Sequence, residues 1–221
     1  MSKAVTSIKN MTKITIDIVS DTICPWCFVG KRRLESAIEE YKSLNPEASF
    51  EVKWHPYYLD PTSKIQVKMD RYVQKFGQER MEKMLPYMKN VAKQEGINME
   101  YNGPIGPTQL SHRLINYAGS KSPELQDRVV ERLFKEYFEI NGNIFEIDPL
   151  LKISNELGLD EKEVKSALEG EEGSREVDRE VHKNQQRGIT GVPFFTINNR
   201  LHLSGAQEPS EFLRAFTRIT K

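Results

Sequence analysis

The stretch Ile14-Thr15-Ile16-Asp17-Ile18-Val19-Ser20-Asp21-Thr22-Ile23-Cys24-Pro25-Trp26-Cys27 decides the fold. Ile14, Ile16 and Ile18 alternate with other residues, the period of a β-strand, and Ser20-Asp21 supplies a turn behind it. From Pro25 the period changes. Phe28, Leu34, Ala37, Ile38 and Tyr41 recur at helical spacing, and Asn45-Pro46 stops the run. Pro25 suits a first helical position, because its missing N–H would have no partner there. Phe50 to His55 alternates again and ends at Pro56. Strand, helix and strand with a crossover of this length imply a parallel βαβ unit. The two cysteines of the 221-residue chain thus fall where a strand turns into a helix. Random placement would give this spacing with odds on the order of 1 %, so the pair asks for a chemical reason.

Between Asp60 and about Gly188 strand signals almost vanish. Helical patterns cover Met69–Phe76, Glu79–Gln94, Leu110–Ser120, Glu124–Asn141, Pro149–Leu157, Glu161–Glu169 and Glu172–Gln186, with a loop at Asn102–Pro107. Beyond Gly188 the character reverts. Val192–Ile197 reads as a strand, Asn198-Asn199 as a turn, Arg200–Gly205 as the returning strand and Ala206–Ile219 as a last helix. The layout is β-α-β, a helical block, then β-β-α: an α/β domain split by a helical insertion. Residues 13–60 and 188–221 form the α/β part and residues 61–187 the insertion. Residues 1–12 read as a disordered tail.

Lys+Arg and Asp+Glu both number 32, so no field gathers nucleic acid or anionic lipid. No apolar run reaches the length of a bilayer span. Without a secretory signal or a disulfide framework, the expected compartment is a reducing, cytoplasmic one.

A Cys-x-x-Cys at a helix start has a physical logic. Cys24 would sit before the first turn, where unpaired N–H groups and the helix dipole favour an anion. A thiol near pKa 8.5 is only about 3 % thiolate at pH 7, and lowering it to about 6 makes it about 90 % thiolate. That shift needs roughly 3.4 kcal/mol. The dipole supplies at most about 2 kcal/mol, leaving the rest to N–H donors and the second thiol. Cys27, one turn on, is placed to attack a mixed disulfide on Cys24 and release the substrate. Two other readings stay open. A zinc site would need two more ligands, but His55, His112, His182 and His202 are scattered, so no metal is expected. Buried, inert thiols are the other, which the bulky Pro25-Trp26 between them disfavours.

The segment Ser20–Glu35 resembles the active-site segment of the DsbA-like thioredoxin-fold family, in its FrnE-like branch. Trp54-His55-Pro56-Tyr57-Tyr58-Leu59-Asp60-Pro61 resembles that branch's second-strand ending. Gly188-Ile189-Thr190-Gly191-Val192-Pro193-Phe194-Phe195 resembles the cis-proline segment, and Ser204-Gly205-Ala206-Gln207 the closing hairpin. The resemblance implies an α/β thioredoxin fold with a large all-helical insertion, and a protein-disulfide oxidoreductase with Cys24 and Cys27 as its redox pair. It makes Pro193 the cis-proline and Val192 a source of backbone groups for an extended substrate, with Pro25 and Trp26 beside it. The partner is then a protein or small-molecule thiol or disulfide. No cofactor is bound, glutathione is allowed as a co-substrate, and the state is monomer or homodimer. Kappa-class glutathione transferases and 2-hydroxychromene-2-carboxylate isomerases share the fold but typically carry serine at the position of Cys24. A glutathione-dependent transferase or isomerase is therefore the alternative, and a non-catalytic protein-binding module the second.

Lys31, Arg32 and Arg33 read as a solvated helix face, and His55 as ordinary packing. Met81, Met84 and Met88, at helical spacing, read as core or a pliable groove.

Overall fold

The computed structural model describes residues 13–220. The tail expected over residues 1–12 lies outside them. Strand β1 (Lys13–Ser20), helix α1 (Pro25–Leu44) and strand β2 (Ser49–Pro56) form the opening unit, with β1 and β2 parallel and Ile18 opposite Trp54. Next come β3 (Gln66–Val67), α2 (Lys68–Phe76), α3 (Gln78–Gln94) and β4 (Pro104–Ile105). Helices α4 (Gln109–Lys121), α5 (Pro123–Phe138), α6 (Ile147–Glu156), α7 (Glu161–Glu169) and α8 (Glu171–Gln186) follow. The chain closes with β5 (Phe194–Ile197), β6 (Leu201–Ser204) and α9 (Pro209–Ile219). The main sheet has the order β2-β1-β5-β6, with β5 antiparallel to both β1 and β6.

The alternation in β1 does what its pattern dictates: Ile14, Ile16 and Ile18 are buried, while Thr15 and Asp17 are only half-buried. The apolar face is covered by α1 and α9. There Tyr41, Phe50 and Phe216 meet edge to face at centroid distances of 5.9, 5.5 and 5.0 Å. One continuous core runs from these strands to Phe134 and Phe138 of α5, whose rings stack on Phe28 at 5.1 and 6.0 Å.

Differences from the sequence reading are local and have causes. Helix α5 stops at Phe138, because Asn141 takes a positive φ of 57°. The side chain of Asn141 instead accepts from the backbone N–H groups of Asn102 and Gly103, at 3.0 Å each. The loop at 102–107 contains β4, which pairs with β3 as a two-residue ladder too short to show alternation. Helix α9 begins three residues later than expected, after Gly205 turns the chain with φ 78°.

The largest correction concerns the start of α1. Lys31 is not a solvated residue: its side chain is 3 % exposed. Its ammonium meets Glu35, Asp127 at 3.1 Å and Glu131 at 3.4 Å, the last two on α5. Arg32 takes both oxygens of Glu131, and Arg33 pairs with Glu95 at 2.6 Å and Glu208 at 2.6 Å. Burial by itself would raise the Glu131 carboxyl, but Arg32 and Lys31 outweigh it and hold it down at about 2. Asp127 also accepts from the Trp54 indole at 2.9 Å. Helix α1 is thereby latched to α5 and, through it, to β2.

Helix α5 reaches β2 by a second route. The Gln126 side chain accepts from Trp54 N–H at 2.9 Å and donates to Trp54 C=O at 3.0 Å. Gly119 leaves it room, since a Cβ there would fall 2.6 Å from Gln126 Nε2.

Candidate active site

The strand-to-helix turn is set by its own backbone. Cys24 N–H donates to Asp21 C=O at 3.0 Å, and Cys27 N–H to Cys24 C=O at 3.0 Å. Cys24 is the N-cap of α1, in an extended conformation (φ −88°, ψ 112°), followed by Pro25. The first turn of α1 holds no acidic residue, and Cys24 sits at the positive end of this 20-residue helix. Both cysteines are free thiols, 4 % and 1 % exposed. Burial first, and then the adjacent Cys24 sulfur, push the Cys27 thiol well above its ordinary range. Burial therefore favours Cys27 in its protonated form.

Opposite Cys24 stands the loop before β5. The Val192–Pro193 peptide is cis, and Cys24 Sγ donates to Val192 C=O at 3.5 Å. Pro193 faces α1 at Gly30, where a Cβ would lie 3.1 Å from both the Pro193 ring and Phe195. Gly30 is thus a further site residue, needed for close approach. Its only sequence signal is a glycine placed inside a strongly periodic helix. Gly205 N–H, donating to Pro193 C=O at 2.8 Å, secures the loop from β6.

Cys24, Pro25, Trp26 and Val192 line one groove of about 470 Å³. Its far wall comes from α2 and α3 and includes Tyr72, Phe76, Met84, Leu85, Tyr87 and Met88. The methionines therefore serve as groove and core together: Met81 and Met88 are buried, and Met84 and Met88 face the groove. Trp26 and Tyr87 approach across it at a centroid distance of 6.4 Å. Asp60, Arg71 and Lys75 close one end, and the sequence reading missed all three. The spacing of Arg71 and Lys75, one turn apart on a helix that also buries Tyr72, is the signal that was there. Cys27 and Pro193 lie behind the groove and are not part of its lining.

His55 is not part of this site. Its ring bridges Asp17, at 2.8 Å from Nε2, and Glu180, which takes Nδ1. Burial alone would lower its pKa, yet the two carboxylates carry it to about 9. Deeper in, Asp21 is fully buried and accepts from Leu59 N–H at 2.7 Å, with His112 Nε2 3.4 Å from its other oxygen. Lys68 is also fully buried, donating to Tyr137 C=O at 3.0 Å and lying 3.7 Å from that ring's centroid. Desolvation drops its pKa to about 7. Among the described residues no group of three or more His, Cys, Asp or Glu side chains could hold a metal ion.

A free dithiol on the first turn of a helix, facing the loop before an antiparallel strand, defines a thioredoxin-fold thiol site. The chain belongs to the DsbA-like thioredoxin domain family, whose model matches residues 15–217. It is 31 % identical over 214 residues to the uncharacterized protein YwbO of Bacillus subtilis, covering 92 % of this chain and 96 % of that one. The structure of a probable DsbA oxidoreductase from Streptomyces coelicolor superposes with a TM-score of 0.83 at 27 % identity, over 93 % of this chain and 89 % of that one. A 2-hydroxychromene-2-carboxylate isomerase shares the fold, with a TM-score of 0.69 at 16 % identity, over 93 % and 96 % of the two chains. The family match and these neighbours give the chain the α/β thioredoxin fold of DsbA-like proteins, with a helical insertion.

Proposed function

We propose that the chain is a thiol–disulfide oxidoreductase in which Cys24 attacks and Cys27 resolves. The observation that carries this is the unequal placement of the two sulfurs. Cys24 lines the groove at a helix N-terminus, while Cys27 sits one turn behind it, held as a thiol by burial. In the reducing direction, the Cys24 thiolate attacks a substrate disulfide, forming a mixed disulfide and expelling one substrate thiolate. Cys27 then gives up its proton and attacks the Cys24 sulfur, releasing the second thiol and leaving a Cys24–Cys27 disulfide. Two electrons pass from the protein dithiol to the substrate. The reverse sequence oxidises a substrate dithiol.

Trp26 and Pro25 form the lip against which substrate lies, and Val192 offers its backbone to an extended segment while Pro193 shapes the loop. The substrate is a protein or small-molecule disulfide, glutathione serves as a co-substrate, and the working compartment is the cytoplasm. The helical segment 61–187 acts as the substrate-facing wall of a thioredoxin-like unit built from 13–60 and 188–221. An insulin-type disulfide reduction assay tests the reading. Cys24→Ser abolishes turnover, and Cys27→Ser stalls as a mixed disulfide on Cys24. Parental turnover in both variants sinks dithiol chemistry. Glutathione conjugation that survives in Cys27→Ser points to the transferase alternative.

A further inference from the structure

The groove in front of Cys24 is apolar except at one end, where its three charged residues gather. Asp60 is 7 % exposed and takes Arg71 through two bonds, from Nε at 2.9 Å and Nη2 at 2.8 Å. Hydrogen bonding to Arg71, helped by the charge of Lys75, holds the Asp60 carboxyl below its ordinary range, so one carboxylate serves two cations. The remaining Arg71 nitrogen, Nη1, donates to Gln74 at 3.0 Å. Lys75 is the second cation against that single carboxylate. Its Nζ lies 3.6 Å from Asp60 Oδ2 and 3.3 Å from Leu59 C=O, both long, and its side chain is 37 % exposed. An ammonium has three donors to place. The groove therefore carries one surplus positive charge with donor capacity left, at the edge of a wall made of methionine and aromatic side chains.

We infer that the groove receives an extended polypeptide bearing an aromatic or large aliphatic residue near its cysteine and an Asp or Glu that pairs with Lys75. This rests on the thiol-exchange reading and deepens it. Met84 and Met88 supply a surface that accepts different apolar side chains at little cost, so they give binding without much selection. The selection comes from charge. A carboxylate brought to Lys75 completes a pair that the fold leaves half-made, and a like-charged side chain there would face Arg71 and Lys75 unpaired. Lys75 is a specificity residue and has no part in the sulfur chemistry.

The test uses the full-length protein with both thiols reduced, at low ionic strength. Two synthetic peptides are identical except for Glu or Gln. Each carries one Phe and one Cys blocked as a mixed disulfide with 2-nitro-5-thiobenzoate. Cys24 attacks the peptide sulfur, the coloured thiobenzoate leaves with the electron pair, and Cys27 then frees the peptide thiol as the protein disulfide forms. The Glu peptide is expected to react about three- to tenfold faster in the second-order regime, the range of a partly screened ion pair, and the gap to close in high salt. Lys75→Met brings the Glu/Gln ratio to one, while Lys75→Arg keeps it. Equal rates for the two peptides with the parent protein, or a ratio that survives in Lys75→Met, overturn the inference and leave thiol exchange standing. Thiobenzoate release from neither peptide overturns the thiol-exchange reading itself. A glutathione–thiobenzoate mixed disulfide, acidic but without an apolar side chain, reacts more slowly than the Glu peptide; an equal rate overturns the apolar half of the inference.

Discussion

Helix α1 has two neighbours of opposite character. Towards α5, Lys31 and Arg32 are sunk among Glu35, Asp127 and Glu131, and Phe28 stacks on Phe134. Towards α3, Trp26 meets Tyr87, which is 60 % exposed, across a wall of methionines. The first side is directional and charge-matched, so it fixes the helix in one place. Apart from the Arg33–Glu95 ion pair at the far end of α3, the second side makes no directional contact around Trp26 and can rearrange around whatever lies against it. A thiol that must meet varied disulfides at a fixed sulfur position needs both, and the chain assigns them to opposite flanks of one helix.

The latch should be where stability is most easily broken. Lys31→Met takes the buried cation away from Asp127, Glu35 and Glu131, the last two of which keep Arg32, and the expected loss in urea unfolding is about 2 kcal/mol, below the range for a fully buried broken pair because the carboxylates stay partly paired and solvated. A loss below about 1 kcal/mol would mean that the latch is ornamental. Gln126→Leu orphans the N–H and C=O of Trp54 together, and about 2 kcal/mol is expected.

Two further cations separate by pH. His55, on the sheet face opposite Trp54 and the latch, is favoured in its charged form by Asp17 and Glu180, with a folded pKa of about 9. Its stabilisation is fully present below pH 6.5 and is lost as the pH rises through about 9. Lys68, behind the groove, runs the other way. Burial lowers it to about 7, so the cost of holding it charged is fully present below pH 7 and fades as the pH climbs towards 10.5. Lys68→Met should therefore gain on the parent most at pH 6, an advantage that shrinks by about 1 kcal/mol per pH unit between 7 and 10. His55→Gln should cost about 1–2 kcal/mol at pH 6 and little at pH 10. Parallel pH profiles for parent and both variants would erase the distinction. The smallest effect on stability belongs to the groove. Tyr87→Ser is expected to move the unfolding free energy by less than about 0.5 kcal/mol. It should slow exchange with a Phe-containing peptide disulfide several-fold, and an unchanged rate would remove Tyr87 from the substrate wall.

Local signals carried most of the architecture into the sequence. Strand alternation in β1 and β2, Pro25 and the Asp160 cap, which accepts from Glu163 N–H at 2.9 Å, mark their elements without help from the rest of the chain. The latch was illegible for the opposite reason. Lys31 finds Asp127 and Glu131 nearly a hundred residues away, and a Lys-Arg-Arg run on an isolated helix looks solvated until α5 is laid against it. The cysteines could be read from spacing, but the approach of Val192 to Cys24 joins positions 168 apart and came only through resemblance. The charged end of the groove follows the same rule, since Asp60 and Lys75 meet only once β2 has delivered the chain to α2.

The clip of Gln126 on Trp54 has a consequence for association between molecules. Strand β2 is an outer strand of the main sheet, and an outer strand ordinarily presents unsatisfied peptide groups on which another chain can polymerise. Here a side chain impersonates the missing neighbour at the middle of the strand, and Gly119 keeps its berth open. The clip withholds the peptide groups of Trp54 from a neighbouring copy on that flank, and the four residues of β6 form the opposite rim of the sheet. Enlarging residue 119 would unseat the clip without touching the thiols. The first symptom expected is fibrillar aggregation during refolding, while the surviving monomers keep their chemistry.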